Sequence, residues 1–308
     1  MDTKNKVTII GAGMVGSTTA HTLIENEITE EIALIDINKK LVASQVMDLQ
    51  HAVPFSSYTK VKVGTYSDIQ DSKVVVFSAG AAQQGPKQSR LDLVTTNVNI
   101  LESTLPHIFK ANPSVVLIIV TNPLDILTYR AVKKYPSKKR QIFGTGTLLD
   151  SARFRVLLGQ KLGINPSSVH AYIVGEHGDS EVPLWSIADV GGAPLDRVKK
   201  ISATEKKKIF ESAKNAAYAI IAGKQSTYYA IASGTTSVVR AVLYDQKTVL
   251  PVSRLIEGEY GIRDVCLSLP AIIGHGGIVR PITPNISAME IKQLKKSAAQ
   301  LKKVLSSI

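Results

Sequence analysis

One cysteine in 308 residues leaves no partner for an internal disulfide, which excludes a disulfide-stapled secreted scaffold. Cys266 lies in the alternating segment Val265-Cys266-Leu267-Ser268-Leu269, which reads as a half-buried strand with the thiol as inert packing. No apolar run reaches the roughly 18 residues that a membrane helix needs. The start, Met1-Asp2-Thr3-Lys4-Asn5-Lys6, enters an apolar strand without the hydrophobic region of a secretion signal. The expectation is a cytoplasmic protein without a membrane partner. Acidic residues are also scarce: 25 Asp and Glu face 37 Lys and Arg, a formal charge of +12. Such a balance raises nucleic-acid binding as a function class, because basic surfaces gain affinity for polyanions by releasing counterions. The distribution argues against it. Lys138-Lys139-Arg140, Lys199-Lys200, Lys206-Lys207-Lys208, Lys295-Lys296 and Lys302-Lys303 are scattered, carry few interleaved aromatics and match no nucleic-acid motif. Solvated helix faces account for most of them, and a positive field would also gather small anionic ligands.

With 44% hydrophobic residues the chain can bury a sizeable core, in two domains or one large α/β unit. Short β-branched runs alternate with helical patterns through the first half: Val7–Ile10, Ile32–Ile37, Val61–Tyr66, Val74–Ala79, Val115–Thr121 and Ile142–Gly146. This alternation predicts a parallel, doubly wound sheet. Near Gly144-Thr145-Gly146-Thr147 the pattern changes. A helix over about 150–162 follows, with strands around Val169–Val174, Leu184–Val190 and Val249–Leu269 and helices near Ala203–Ala222 and Thr227–Tyr244. The second half is therefore expected to be a mixed α+β domain over 146–308, after a first domain over 1–145. From Met289, residues Ile291, Leu294, Ala298, Leu301, Leu305 and Ile308 recur at spacings of three and four, one apolar helix face that should pack back on the body.

The first strand ends in Gly11-Ala12-Gly13-Met14-Val15-Gly16, and a helical pattern begins at once. In a dinucleotide site, Gly11 permits the tight turn, Gly13 lets the backbone reach the pyrophosphate, and Gly16 allows close helix-to-strand packing. The amides at the helix start, from Met14 and Val15 onward, supply a partial positive charge. A lone match of this kind is weak. Here Asp36 sits twenty residues past Gly16 at the end of the next strand, where a carboxylate accepts from a ribose diol. Its charge repels a 2′-phosphate and so favours NAD over NADP, although Lys39 and Lys40 lie close enough to soften that rejection. The first domain then reads as a Rossmann-type dinucleotide-binding unit.

Reduction of a 2-keto acid needs a hydride donor, a proton donor at the carbonyl oxygen, a cation for the carboxylate and exclusion of water. Gly175-Glu176-His177-Gly178-Asp179-Ser180 sets a histidine between glycines after an apolar strand. Alone, such a histidine is more often structural. Asp150 and Arg153 are three apart on one helix face. Read plainly, they form an intrahelical ion pair. The functional reading gives Asp150 to His177, fixing its tautomer, and frees Arg153 for a bidentate grip on a substrate carboxylate.

Taken together, the glycine loop with Asp36, Met47-Asp48-Leu49-Gln50-His51-Ala52, Val120-Thr121-Asn122-Pro123-Leu124-Asp125, Leu149-Asp150-Ser151-Ala152-Arg153 and Gly175-Glu176-His177-Gly178-Asp179 resemble the lactate/malate dehydrogenase family. Their order and spacing match it from about Lys6 to Ile308. The resemblance implies that His177 is the proton donor and acceptor, Asp150 its orienting carboxylate and Arg153 the carboxylate anchor. It implies that Asn122 touches both the nicotinamide and the substrate oxygen, and that Ile231 packs on the nicotinamide. Arg90 would close over the substrate on a loop, polarise its carbonyl and expel water, a role that desolvation strengthens.

Within that family, the loop before Arg90 selects the substrate's remaining group, with arginine in malate-type members and glutamine in lactate-type ones. Here it reads Gly80-Ala81-Ala82-Gln83-Gln84-Gly85-Pro86-Lys87-Gln88-Ser89-Arg90, one residue longer than the usual pattern. Gln83 or Gln84 takes the position according to register, and neither is cationic. An unpaired second carboxylate in a closed site would cost several kcal/mol, which favours a methyl substituent, unless the Lys87 ammonium turns inward. Thr227 matches the lactate-type threonine, and Trp185 is as readily core as functional. The implied pair is pyruvate and L-lactate, with broader L-2-hydroxyacids or malate as alternatives. The resemblance also implies a homo-oligomer, with tetramer favoured over dimer. Arg155 and His170 match positions that line the fructose 1,6-bisphosphate site of activated bacterial members, though non-activated members resemble this pair too. A binding protein that kept the fold without turnover would need no such set as His177, Asp150, Arg153, Arg90 and Asn122 together.

Overall fold

The computed structural model describes residues 5–81 and 90–308, the side chains of 90–92 excepted. The first half alternates strand and helix: β1 (Lys6–Ile10), α1 (Met14–Glu25), β2 (Glu31–Ile35), α2 (Lys39–Ser56), β3 (Lys60–Val63), β4 (Val74–Phe77), α3 (Arg90–Ala111), β5 (Val116–Ile119), α4 (Leu124–Lys134) and β6 (Ile142–Gly144). All six strands pair in parallel in the order β3-β2-β1-β4-β5-β6. The order reverses between β1 and β4, the point where an open α/β sheet leaves a crevice at its carboxyl edge. Helices cover both faces, so the strands are apolar throughout. Val74 and Val76 of β4 enter one core cluster while Val75 and Phe77 enter the other, as the two-residue period of a strand requires.

The second half comprises α5 (Leu148–Leu162), β7 (Val169–His170), β8 (Ile173–Val174), β9 (Val182–Pro183), β10 (Asp189–Val190), β11 (Ala193–Pro194), α6 (Leu195–Val198), α7 (Ala203–Lys224), α8 (Tyr229–Leu243), β12 (Thr248–Glu257), β13 (Arg263–Gly274), β14 (Gly277–Pro281) and α9 (Ala288–Leu305). The antiparallel β12-β13-β14 meander joins the edge of β6 through Ser253 opposite Gly144, extending the sheet to nine strands. The core of this half is therefore continuous with that of the first.

Two expectations need correction. A strand over Leu184–Val190 does not form: Trp185–Ile187 is a 3-10 turn, and only Asp189–Val190 is extended. Side-chain partners decide this locally. The Ser186 N–H and hydroxyl go to the Glu290 carboxylate rather than to a ladder, and Trp185 stands edge-on to Phe154 at 4.8 Å, which makes it a packing residue. Cys266 is 1% exposed rather than half-buried, because both faces of β13 are covered, and burial pushes its thiol pKa well up. Helix α9 does return to the body, with Leu294, Ala298 and Leu301 in the core and Ile291, Leu305 and Ile308 packed against it. No helix among the described residues is long and apolar enough to cross a membrane.

Candidate active site

The glycine turn sits at the sheet's reversal point. Gly11 has φ +105°, and a Cβ there would lie 2.5 Å from the Ala79 nitrogen, so only glycine fits. A Cβ on Gly16 would lie 1.9 Å from the Gly11 carbonyl oxygen, which explains how closely α1 starts against β1. At Gly13 a Cβ would meet nothing within 4 Å; this glycine faces open space at the first amides of α1. Asp36 ties the turn to β2, accepting the Ala12 N–H at 2.7 Å and the Asn38 N–H at 2.8 Å. Ile231, in the first turn of α8, and Val15, at the start of α1, pack on the same core cluster. An anion-accepting helix start, an uncrowded glycine and a carboxylate beyond the next strand fit a dinucleotide. The conformation of Gly13 (φ −68°, ψ −174°) suits any residue. Gly13→Val is therefore expected to fold, with at most about 1 kcal/mol lost at the helix start, while KM for NADH rises at least tenfold. Melting curves and NADH titration test this together.

The chemistry-bearing residues meet at the start of α5. Thr147 precedes the helix, donating its hydroxyl to the Ile173 carbonyl at 2.6 Å and its N–H to Ser268 Oγ at 3.0 Å, while Ser151 Oγ accepts the Ile173 N–H at 2.9 Å. These bonds fix the rotation of α5 and with it the direction of Asp150, a side chain 3% exposed. Asp150 Oδ2 lies 2.6 Å from His177 Nδ1, and Arg153 Nη1 donates to Asp150 Oδ1 at 2.9 Å. The ion-pair and histidine readings of Asp150 are thus both realised, which corrects the expectation that Arg153 is released from it. Burial works against the imidazolium, but the Asp150 carboxylate beside it raises the His177 pKa to about 9. Burial also works against the Asp150 carboxylate, but His177 and then Arg153 hold its pKa below the usual range.

Asn122, three residues past the end of β5, precedes a cis bond to Pro123. Its carbonyl accepts from Asn97 Nδ2 at 2.8 Å, and Asn97 Oδ1 accepts the Ala81 N–H at 2.8 Å. Asn97 of α3 thereby couples Asn122 to the start of the loop before Arg90. Arg90 opens α3, and Gln83, Gln84 and Lys87 lie outside the described residues. Thr227 lies between α7 and α8, half-buried. Arg155 donates Nε to the carbonyl of Ala171 at 2.9 Å, and His170, the residue before Ala171, pairs with Asp189 between β7 and β10.

Two groups near His177 had no assigned role in the sequence reading. Asp125, in the first turn of α4, accepts the His177 N–H at 2.7 Å and the Ser253 hydroxyl at 2.5 Å. Burial pushes its pKa up to about 6 against those bonds. The Asn122-Pro123-Leu124-Asp125 string was the signal for it. Glu181, 7% exposed, has one buried carboxylate oxygen without a hydrogen-bond partner among the described residues. Burial, then the Asp150 charge, pushes its pKa up to about 8. No group of His, Cys, Asp and Glu among the described residues could hold a metal ion.

Comparison with known proteins agrees with this geometry. Residues 5–144 match the NAD-binding domain of lactate/malate dehydrogenases, and residues 147–308 match their alpha/beta C-terminal domain. The chain is 43% identical to an L-lactate dehydrogenase of Acetivibrio thermocellus, covering 98% of this chain and 97% of that one. It is 40% identical to L-lactate dehydrogenase 1 of Clostridium acetobutylicum over the whole of both. The solved structure of a minor L-lactate dehydrogenase from Enterococcus mundtii superposes with a TM-score of 0.96 at 36% identity, covering 100% of this chain and 99% of that one. The chain belongs to the lactate/malate dehydrogenase family, and it is an NAD-dependent oxidoreductase built on that family's Rossmann-type fold.

Proposed function

We propose that the protein is an L-lactate dehydrogenase interconverting pyruvate and L-lactate, with His177 as proton donor and acceptor. The observation that carries this reading is the chain of contacts His177–Asp150–Arg153, in which one buried carboxylate touches both an imidazole and a guanidinium. Bound NADH supplies the hydride. Arg153 grips the substrate carboxylate, and Asp150 holds His177 with Nδ1 engaged, so that Nε2 faces the carbonyl oxygen. Protonated His177 gives its proton to the developing alkoxide, and neutral His177 takes it back in the reverse direction. Asn122 meets the nicotinamide and the substrate oxygen. Arg90 closes over the site, Gln83 or Gln84 and Thr227 shape the wall toward the methyl group, and Gly11, Gly13, Met14, Val15, Gly16, Asp36 and Ile231 hold the cofactor.

Mixing the protein with NADH and either pyruvate or oxaloacetate tests the assignment. A larger kcat/KM for pyruvate is expected; a larger value for oxaloacetate makes the enzyme a malate dehydrogenase, and no NADH oxidation with either removes the claim.

The pH dependence follows from the raised His177 pKa of about 9. Pyruvate reduction needs the imidazolium, so kcat/KM should be level below about pH 9 and fall above it. Lactate oxidation needs the neutral ring, so it should rise with pH and level off past the same point. A break near the ordinary histidine value of about 6.5 would show that the Asp150 contact does not govern the reaction.

The protein is further proposed to act in the cytoplasm, in fermentative reoxidation of NADH, as a homo-oligomer, a tetramer in preference to a dimer. Exposed apolar side chains on and after α2, Met47, Phe55 and Tyr58, are consistent with a subunit contact. Arg155 and His170 are proposed to meet fructose 1,6-bisphosphate on the strength of the family resemblance at these two positions, with Arg155 bonded to the carbonyl of Ala171, the chain neighbour of His170.

A further inference from the structure

β13 pairs Ser268 with Gly175 and Lys214 of α7 donates to the Asp179 carbonyl, and between those anchors three elements hold the residues around the His177 ring. Asp150 of α5 holds the His177 ring, and Asp125 of α4 holds its N–H. The third hold comes from the C-terminal helix. Ser297 of α9 is 0% exposed, and its Oγ accepts the Glu176 N–H at 2.9 Å and lies 3.0 Å from Ser180 Oγ. Ser180 Oγ in turn donates to the Glu176 carboxylate. The helix approaches so closely that a Cβ on Gly175 would lie 2.9 Å from Ser297 Oγ. One buried hydroxyl therefore contacts the turn on both sides of His177.

We propose that Ser297 is a positioning residue for the reaction, fixing the turn that sets the His177 imidazole against Asp150. This rests on the role proposed above for His177. Asp125 holds the turn at the His177 N–H alone, and the Glu176 N–H and the Ser180 hydroxyl are left to Ser297. Glu176 and His177 border a cavity of about 300 Å³ whose other walls include Val94, Asp125, Leu301 and Val304, and the His177 side chain is 25% exposed. Without the Ser297 acceptor the Glu176 N–H loses its partner, and the segment between the Gly175–Ser268 pairing and the Asp125 bond can shift toward that cavity. A displacement of about 1 Å at a reacting group costs up to about a hundredfold in rate. It also lengthens the Nδ1–Asp150 contact that keeps the ring protonated. The other ionisable groups facing the ring, Asp125 of α4, Glu181 at the start of β9 and the neighbouring Glu176, stay in place in this account.

Glu290 supplies the control. It lies on the same helix, 5% exposed, and accepts from Ser186 and Ser287 rather than from the His177 turn. Wild type, S297A, S297C and E290Q should be compared by melting temperature, by kcat and pH profile for pyruvate reduction, and by NMR titration of the His177 ring. S297A is expected to lower kcat roughly tenfold and to bring both the alkaline break and the ring titration down by about half a pH unit or more. S297C, which keeps a weak acceptor in nearly the same volume, should fall between it and wild type. E290Q should lower the melting temperature while leaving kcat and the break unmoved. A loss of melting temperature alone in S297A and S297C, or equal shifts in E290Q, overturns the proposal. If wild type does not turn over pyruvate, the functional reading fails separately, and the ring titration still decides whether Ser297 governs His177.

Discussion

His177→Asn is expected to lower kcat for pyruvate reduction by about three to four orders of magnitude, with kcat/KM falling in step and NADH binding retained. General acid catalysis by a positioned side chain contributes about 10² to 10⁴ in rate, and the proposed proton donor, His177, is raised in pKa to about 9, so it is charged at neutral pH. Asparagine is the informative replacement because its amide can still donate to Asp150 Oδ2. With alanine, the carboxylate of Asp150, a residue 3% exposed, would keep only the Arg153 bond among the described residues, and lost stability would obscure lost chemistry. The glycine turn, Asp36 and Ile231 are untouched, so NADH titration should give an unchanged Kd. A loss of less than tenfold in steady-state NADH oxidation would move the proton donor to another residue.

His177 has a second linkage. A group whose folded pKa is raised from about 6.5 to about 9 stabilises the fold fully below the lower value, and that contribution is lost as pH rises through the upper one. Asp150 has the opposite sign: its pKa is lowered, so its contribution is present above the ordinary carboxylate range and lost on acidification. The site therefore favours the folded state most between those limits. His177→Asn should flatten the alkaline arm of a plot of melting temperature against pH and also make the acid arm shallower, because His177 leads Arg153 in holding the Asp150 pKa down.

Much of this was legible in the sequence, for local reasons. The six parallel strands follow from apolar runs alternating with helical patterns, and the glycine turn is recognisable because strand, turn, helix and Asp36 fall within thirty residues. The proposed centre was nameable because residues 150 and 153 share one helix turn. What the sequence could not show is long-range. Asp125 reaches His177 across 52 residues and Ser253 across 128, and Ser297 reaches Glu176 across 121. Nothing in Ser297's own helical pattern, where a serine interrupts an apolar face, separates it from a solvated one. The misplaced strand at Leu184–Val190 failed for the same reason, since Glu290, 104 residues away, takes the Ser186 N–H. Asp150's double engagement also exceeded a reading that offered it one partner at a time.

That double engagement governs the outcome at Arg153. Arg153→Lys is expected to raise KM for pyruvate by about 10² or more, roughly 3 kcal/mol, with a smaller effect on kcat. Nη1 is already bonded to Asp150 Oδ1, so in the proposed role the substrate carboxylate takes the remaining guanidinium nitrogens, and a guanidinium can serve both anions at once because its donors are held in a rigid plane. An ammonium carries the same charge as a compact point. It can stay with Asp150 or move to the substrate, and in either case one carboxylate loses a directed pair of hydrogen bonds. Because the charge is kept, the alkaline break near pH 9 should remain where it is, separating anchoring of substrate from support of the imidazolium. A KM within threefold of wild type would place the substrate carboxylate elsewhere. A break displaced by a whole pH unit would mean that Arg153 acts on His177 through Asp150 rather than on the substrate.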